Sequence, residues 1–219
     1  MSSINHQIEH TLLKPNLTDK DIDRLVAEAK KYKFYGVCVP PFWVKRAKRE
    51  IADSEIKLIT VVGFPLGYNM TETKLEEIKI AMEMGADELD VVMNISAFKI
   101  KMDWLKIELA KCSKLIHEHQ KIIKIIIETS YLDEEEIRRA CKICADAGAD
   151  LVKTSTGFAS DGAKVEHIRL MRKVLPVSVG IKASGGIATY AEALEMIEAG
   201  ADRIGTSNGI RIIQEALIK

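Results

Sequence analysis

Short apolar runs alternate with longer amphipathic stretches along almost the whole chain. The runs are rich in Val and Ile and are bounded by turn residues, a pattern typical of buried β-strands. Seven runs are clear, at residues 36–40, 57–63, 88–93, 122–128, 151–155, 177–183 and 203–206. Residues 7–12 are a weaker candidate for an eighth strand. The pattern therefore predicts strands that alternate with helices.

A three-residue motif, Gly-Ala-Asp, ends three of the amphipathic stretches. It begins at Gly85, Gly148 and Gly200, and an apolar run follows each copy. A glycine just past a helix adopts the left-handed conformation at little cost. Each copy therefore predicts the end of a helix and, within a few residues, the start of a strand.

Helix starts can be recognised from capping residues. Thr18 precedes Asp19 and Asp21, and Asp133 precedes three consecutive glutamates, so both are predicted N-caps. Residues 73–76 have the spacing of a capping box, while Thr71 is an equally good start for the same helix.

Strands that alternate with helices pair in parallel, which makes the fold class α/β. A closed (β/α)8 barrel and an open doubly wound sheet both fit this class. Eight units in 219 residues leave about 27 residues each, enough for a strand, a helix and two short loops. A dinucleotide-binding sheet would place Gly-x-Gly-x-x-Gly after its first strand, but Pro41-Phe42-Trp43 follows residues 36–40. Because no linker-like segment divides the sequence, we predict a TIM (β/α)8 barrel forming a single domain over residues 1–219.

Composition indicates which partners and which cellular compartment are to be expected. The 32 Lys and Arg residues balance 32 Asp and Glu residues, which argues against nucleic acid because a phosphate backbone favours a basic excess. No apolar run approaches the roughly 18 residues that span a bilayer, so no membrane association is expected. Four scattered cysteines favour a reducing, cytoplasmic compartment over a disulfide scaffold. A homodimer is expected from the general frequency of that state.

Three of the apolar runs contain a charged residue, namely Asp90, Lys153 and Lys182. A single charge in a barrel strand is commonly a rim residue whose head reaches water. Three such residues near strand ends converge instead on the C-terminal mouth of a barrel, where active sites lie. Burial and a second ammonium lower the pKa of a lysine, and the free amine forms a Schiff base with a carbonyl. With an aspartate to move protons, the trio predicts carbonyl chemistry through a lysine iminium.

The loops after the strands favour a phosphorylated, hydroxylated substrate. Residues 154–157, 183–186 and 206–209 are rich in Gly, Ser and Thr. Small residues let backbone N–H groups approach an anion, and a following helix N-terminus favours negative charge. Such loops also form ordinary tight turns. Their position strengthens the functional interpretation, because barrels often bind phosphate with the loops after strands seven and eight.

Several motifs together resemble the deoxyribose-phosphate aldolase family. They are residues 9–15, 37–40, 85–92, 153–157 and 179–186, which read EHTLLKP, VCVP, GADELDVV, KTSTG and VGIKASGG. The resemblance spans almost the whole chain. It implies a class I aldolase on a TIM barrel that reversibly cleaves 2-deoxy-D-ribose 5-phosphate to D-glyceraldehyde 3-phosphate and acetaldehyde, in deoxyribose phosphate catabolism.

The resemblance also implies roles for individual residues. Lys153 would be the Schiff-base lysine, Lys182 the second lysine that favours its free amine and joins proton transfer, and Asp90 the acid/base partner. The implied substrate contacts are Thr156, Gly157, Gly185, Gly186 and Ser207. No metal and no cofactor are implied. Two positions depart from the family pattern: Glu9 stands where Asp is usual, and Phe158 stands where some members have lysine.

Other functions stay open at this point. One alternative is another Schiff-base aldolase with a different donor. A second is a barrel that binds sugar phosphates without turnover, although the lysine pair argues against it because simple binding does not require two close ammonium groups. A metal-dependent mechanism is disfavoured, since Cys141 and Cys144 fall mid-helix without a second ligand pair and are predicted to pack in the core. Glu128, at a strand end, either orients a lysine or stabilises the barrel in an ion pair.

Overall fold

The computed structural model describes residues 4–218, and within this range eight parallel strands close into a barrel surrounded by helices. The strands are β1 (Ile8–Thr11), β2 (Gly36–Val39), β3 (Lys57–Val62), β4 (Glu88–Val92), β5 (Ile122–Ile126), β6 (Leu151–Lys153), β7 (Gly180–Ser184) and β8 (Arg203–Thr206). Each strand pairs with the next, and β8 pairs with β1. The predicted TIM barrel is therefore confirmed, while residues 1–3 and 219 of the predicted domain lie outside the described residues.

The helices follow the strands in the order expected for a (β/α)8 barrel. They are α1 (Asp19–Tyr32), α2 (Val44–Ile51), α3 (Thr71–Glu83), α4 (Ile95–Lys99), α5 (Trp104–Glu118), α6 (Glu134–Asp146), α7 (Val165–Val174), α8 (Tyr190–Glu198) and α9 (Gly209–Ile218). Short 3-10 turns cover Ile4–Gln7, Pro41–Trp43 and Thr129–Tyr131. From residue 4 to residue 218, none of the helices combines the length and the apolar character that crossing a membrane requires.

The largest difference from the predicted strands is at β7, and the structure decides between the two predicted starts of α3. The run predicted to start at residue 177 becomes a strand only at Gly180, because the Val179 N–H donates to the Pro176 carbonyl in a turn and leaves Val177 98% exposed. Of the two predicted starts of α3, the structure confirms Thr71, so the alternative capping box at residues 73–76 does not form. By contrast, Thr18 and Asp133 cap α1 and α6 as predicted.

The three Gly-Ala-Asp motifs hold the N-terminal ends of the strands together. Their glycines have φ values of 103° at Gly85, 86° at Gly148 and 113° at Gly200, which confirms the predicted left-handed helix ends. Each aspartate accepts a backbone N–H of the preceding strand with its side chain and donates its own N–H to the carbonyl of that same residue. The pairs are Asp87 with Leu58, Asp150 with Ile123 and Asp202 with Ile181. The repeat thus fixes the N-terminal ends of the strands, and the candidate site lies at their C-terminal ends.

Two kinds of side chain fill the barrel interior. On β2 and β3, Cys38, Ile59 and Val61 form a small apolar cluster separate from the main core between barrel and helices. Strands β1 and β4 to β7 bring buried charged groups instead, namely Glu9, Glu88, Asp90, Lys124, Lys153 and Lys182. These charged groups form the base of the candidate site.

Candidate active site

The carboxylate of Asp90 lies between the ammonium groups of Lys153 and Lys182. Its Oδ2 accepts hydrogen bonds from Lys153 Nζ at 2.9 Å and from Lys182 Nζ at 2.7 Å. Lys153 and Lys182 are direct partners in the register of β6 and β7, so both side chains lie on the same face of the sheet. The structure therefore brings together the three residues that the sequence singles out as catalytic.

Lys182 is held from β1 as well as from β4. Its Nζ donates to Glu9 Oε2 in addition to Asp90. Burial lowers the pKa of Lys182, but the charges of Asp90 and Glu9 outweigh burial and raise this pKa above the ordinary lysine range. Gly205 in β8 leaves room for the side chain, because a Cβ there would lie 2.9 Å from Lys182 Cε. Lys182 is thus a fixed ammonium, and Glu9, one of the two departures from the family pattern, is one of its partners.

Lys124 in β5 contacts the predicted catalytic residue Asp90, and the sequence-based prediction of the site missed it. Its Nζ donates to Asp90 Oδ1 at 3.1 Å, and Glu9 Oε1 lies 3.6 Å away. Glu88 also binds this ammonium. Burial lowers the pKa of Lys124, but the three carboxylates raise it well above the usual value. The available signal was a lone lysine in the run IIKII at residues 122–126, in the middle of the strand rather than near its end.

The cluster as a whole is electrically balanced. Burial raises the pKa of the Asp90 carboxyl, but the charges of Lys124, Lys153 and Lys182 outweigh burial and hold this pKa well below its usual range. Three ammonium groups face three carboxylates, those of Glu9, Glu88 and Asp90. Charge balance allows a set of ions to remain buried inside the barrel.

Lys153 connects this buried cluster to a cavity. The cavity has a volume of about 410 Å³ and lies between the loops that follow β1, β6, β7 and β8. Its walls include the predicted substrate contacts Thr156, Gly157, Gly185, Gly186 and Ser207. Asp90 and Lys182 do not belong to these walls and, at 0% exposure, lie behind Lys153. Lys153 therefore stands between the cavity and the two other predicted catalytic residues.

The loops around the cavity have backbone conformations that favour glycine. The φ values are 84° at Gly157, 87° at Gly185 and 78° at Gly186. Gly185 also packs against Gly162, whose Cα would lie 2.9 Å from a Cβ on Gly185. Helix α9 begins at Gly209, directly after the cavity residues Ser207 and Asn208. Its first N–H groups lie where an anion is favoured.

Glu128, just past the end of β5, fixes the loop that carries Thr156. Its carboxylate accepts hydrogen bonds from the Thr156 N–H at 3.1 Å and from the Thr156 hydroxyl. The same hydroxyl accepts the Phe158 N–H at 3.1 Å. Burial raises the pKa of the Glu128 carboxyl, and this effect is larger than the opposite effect of the two hydrogen bonds from Thr156. Within the described part of the chain, Glu128 thus supports the loop after Lys153 rather than forming the ion pair that the sequence allowed.

Phe158, the second departure from the family pattern, presents an aromatic ring at the cavity. It is 52% exposed and packs edge-on against Phe64, with 5.2 Å between ring centroids. Phe158 also lines two flanking cavities of about 440 and 260 Å³. An apolar ring therefore forms the wall common to all three cavities.

The remaining candidate ligands lie away from the site. Cys141 and Cys144 are buried in α6, as predicted, and burial raises the pKa of Cys141 to about 12. Across residues 4–218, no three His, Cys, Asp or Glu side chains form a group that could hold a metal ion.

Comparisons with known proteins add family relationships to this geometry. The model of the DeoC/LacD family aldolases matches residues 3–215. A deoxyribose-phosphate aldolase of Thermococcus kodakarensis is 52% identical over 216 residues, which cover 97% of this chain and 96% of the relative. The solved structure of the aldolase QR15 superimposes with a TM-score of 0.94 at 45% identity, covering 100% of this chain and 97% of that one. A deoxyribose phosphate aldolase of Aeropyrum pernix gives a TM-score of 0.91 at 32% identity, with 98% and 91% covered.

Proposed function

The chain belongs to the DeoC/LacD family of aldolases and has deoxyribose-phosphate aldolase activity, and we propose that it performs this reaction through a Schiff base on Lys153. The observation that carries the proposal is the position of Lys153. Its Nζ lies 2.9 Å from Asp90 Oδ2, and the residue also lines the cavity. Lys124 and Lys182, in contrast, are enclosed by carboxylates and are 0% exposed.

The reaction follows from a free amine on Lys153. The Lys153 ammonium first loses a proton, and the amine adds to C1 of the open-chain aldehyde and expels water to form an iminium. Acetaldehyde contains two carbons, so the C2–C3 bond breaks and its electron pair moves toward the iminium nitrogen. The C3 hydroxyl loses its proton, and C3 becomes the aldehyde carbon of glyceraldehyde 3-phosphate. The enamine is then protonated at C2, and water releases acetaldehyde and the lysine.

Asp90 and Lys182 serve the proton transfers in this sequence. Asp90 Oδ2 is within hydrogen-bond distance of both ammonium groups, so a proton can pass between Lys153 and the pair without rearrangement of the barrel. Because Asp90 and Lys182 lie behind Lys153, they reach the substrate through Lys153 or through a water molecule. Lys124 balances the charge of Asp90, and Glu9 balances the charge of Lys182.

The phosphate of the substrate fits the cavity wall formed by the loops after β6, β7 and β8. The left-handed glycines at 157, 185 and 186 line the cavity and have no side chain to keep a phosphate from the backbone, and Ser207 precedes the N-terminus of α9. A phosphate there would accept hydrogen bonds from uncharged donors together with the helix dipole. This wall supplies binding without the lysine charge that some relatives place at position 158.

The proposed setting of the reaction follows the sequence-based expectations. The substrate is a small phosphorylated sugar, and the enzyme works in the cytoplasm as a homodimer. The four cysteines support a reducing compartment, because all are buried free thiols.

Borohydride trapping tests the proposal. With acetaldehyde and borohydride, the protein should gain one ethyl group on Lys153, with or without a chelator. The Lys153→Ala variant should gain none. Lys14→Ala is the matched control, since Lys14 is an exposed lysine of the same cavity wall, and it should retain the label. Labelling of a different lysine, or no labelling of the folded protein, contradicts the proposal.

A further inference from the structure

Lys124 has no part in the reaction steps above, yet it binds the residue proposed to transfer protons. We propose that Lys124 is a positioning residue for the aldolase reaction: it binds Asp90 Oδ1 and thereby keeps Oδ2 directed at Lys153 and Lys182. The inference rests on the proposed roles of Lys153 and Asp90.

The two oxygens of Asp90 have different partners. Oδ1 accepts from Lys124 Nζ at 3.1 Å, whereas Oδ2 accepts from Lys153 and Lys182. Asp90 and Lys124 are direct partners in the register of β4 and β5, so their side chains meet on one face of the sheet. The terminal torsion of an aspartate is broad, and a carboxylate held at one oxygen alone can turn about it. The donor at Oδ1 therefore sets the plane of the carboxylate.

Lys124 is itself fixed by a chain of contacts that leads away from the cavity. Glu88 binds its ammonium with one carboxylate oxygen, and the other oxygen accepts the hydroxyl of Tyr35. The Arg203 guanidinium stacks on the Tyr35 ring, 3.9 Å from its centroid. The charged groups that face Lys124 are Glu9 from β1, Glu88 and Asp90 from β4, and Lys182 from β7. These contacts consequently hold the Lys124 ammonium in one position beside Asp90.

A pair of variants separates positioning from charge balance. Lys124→Met leaves three carboxylates facing two lysines. The double variant Lys124→Met/Glu88→Gln removes one charge of each sign, and its glutamine can still accept the Tyr35 hydroxyl. The matched control is Lys74→Met/Glu108→Gln, which removes another fully buried lysine–glutamate pair, 2.7 Å apart, whose hydrogen bonds in the described structure go to Thr71 and the Val92 carbonyl rather than to Asp90.

Steady-state kinetics of deoxyribose 5-phosphate cleavage provide the readout. The Lys124→Met/Glu88→Gln variant should lose roughly 10- to 100-fold in kcat, as misplaced reacting groups do, with KM within about twofold. The control variant should keep both constants within about twofold. In Lys124→Met, the acidic limb of the kcat profile should move to higher pH, because loss of the Lys124 charge raises the pKa of Asp90.

Two outcomes overturn the inference. Wild-type kcat in the charge-balanced double variant would mean that Lys124 only balances charge, and a raised KM with unchanged kcat would place its effect on substrate binding. If Lys124→Met fails to fold, the double variant decides alone, with a denaturant unfolding curve as its control. The proposed function fails separately, when borohydride and acetaldehyde leave Lys153 unlabelled in the wild-type protein.

Discussion

Two regions of this barrel bury lysines, and they use them differently. Between α3 and α5, Lys74 binds Glu108 at 2.7 Å and the Val92 carbonyl at 3.0 Å, while Thr71 occupies the second oxygen of Glu108. Inside the barrel, three lysines share three carboxylates. Lys74 has two buried acceptors and lines none of the three cavities described above. Lys153 has Asp90 as its one ion-pair partner in the described structure, and a cavity on its other side.

The difference is the reason that we propose Lys153, and not Lys74, as the reactive amine. A buried ion pair is costly to break, and one that does not border a cavity meets no substrate. Where one ammonium has a single carboxylate partner and faces a cavity, its amine can lose a proton and reach a substrate. The following predictions test this division between the Lys74 pair and the barrel cluster.

The largest expected effect is on catalysis by Lys153→Met. We expect kcat for deoxyribose 5-phosphate cleavage to fall by at least about 10⁴-fold, as for loss of other covalent nucleophiles. The fold should persist, because Lys124 and Lys182 still bind Asp90. Steady-state assays together with thermal unfolding measure both properties. Substantial residual turnover in a pure, folded variant would assign the nucleophile elsewhere.

Lys74→Met should show the opposite result. Removing this partner leaves the Glu108 carboxylate buried and uncompensated, which lowers the free energy of unfolding by about 3–5 kcal/mol. The kcat per folded molecule should stay within about twofold of wild type, because Lys74 does not contact the barrel cluster. Denaturant unfolding and active-site titration test the pair of effects. A loss of kcat without a loss of stability would mean that the Lys74 pair, like the barrel cluster, acts in catalysis.

Acidification should act on the barrel cluster through Asp90. Because the three ammonium groups hold the pKa of Asp90 well below its usual range, the carboxylate stabilises the fold at every pH above the ordinary value of about 3.9. This contribution is lost progressively as the pH falls from about 3.9 toward the lower folded-state pKa, with a slope of up to about 1.4 kcal/mol per pH unit, so the loss should begin within the acidic end of a pH 3–7 series. Urea unfolding between pH 3 and pH 7 should show this loss in the wild type and not in Asp90→Asn. If the free energy of unfolding depends on pH in the same way in both proteins, Asp90 is not the group responsible for the loss.

The smallest expected effect is on substrate binding by Ser207, in the loop after β8. Ser207→Ala should raise KM for deoxyribose 5-phosphate roughly tenfold, the value of one hydrogen bond to a charged group. The kcat/KM for deoxyribose, which lacks the phosphate, should not change and serves as the control. An equal change for both substrates would show that Ser207 acts on the fold of the loop.

Local sequence patterns predicted the barrel well, because its units are set by local chemistry. The Gly-Ala-Asp motifs mark three helix ends, and their aspartates bind backbone only one strand away. The start of β7 was misplaced because the turn at Pro176 lies within an apolar run. Thr71 was an equal alternative to Thr73, and its contact with Glu108 joins residues 37 positions apart, which no local pattern reveals.

The site was predictable only in part, for the same reason. Asp90, Lys153 and Lys182 were recognisable as charges near the ends of apolar strands. That Glu9 binds Lys182 depends on closure of β1 against β8, across 173 positions of sequence. Lys124 carried the same signal in mid-strand, and its role emerges only from the register that sets it beside Asp90. Spacing along the chain therefore identified the proposed reacting groups, while tertiary structure was needed to find the groups that contact them.

The most direct test of the account is a crystal structure of the protein trapped with deoxyribose 5-phosphate and borohydride. We predict continuous density from Lys153 Nζ to C1 of the sugar, and a phosphate between Gly185, Gly186 and Ser207. Lys124 and Lys182 should remain bound to Asp90 and unmodified. Density joined to either of these two lysines, or a sugar phosphate bound without any covalent link, would contradict the claim that the lysine bordering the cavity is the one that reacts.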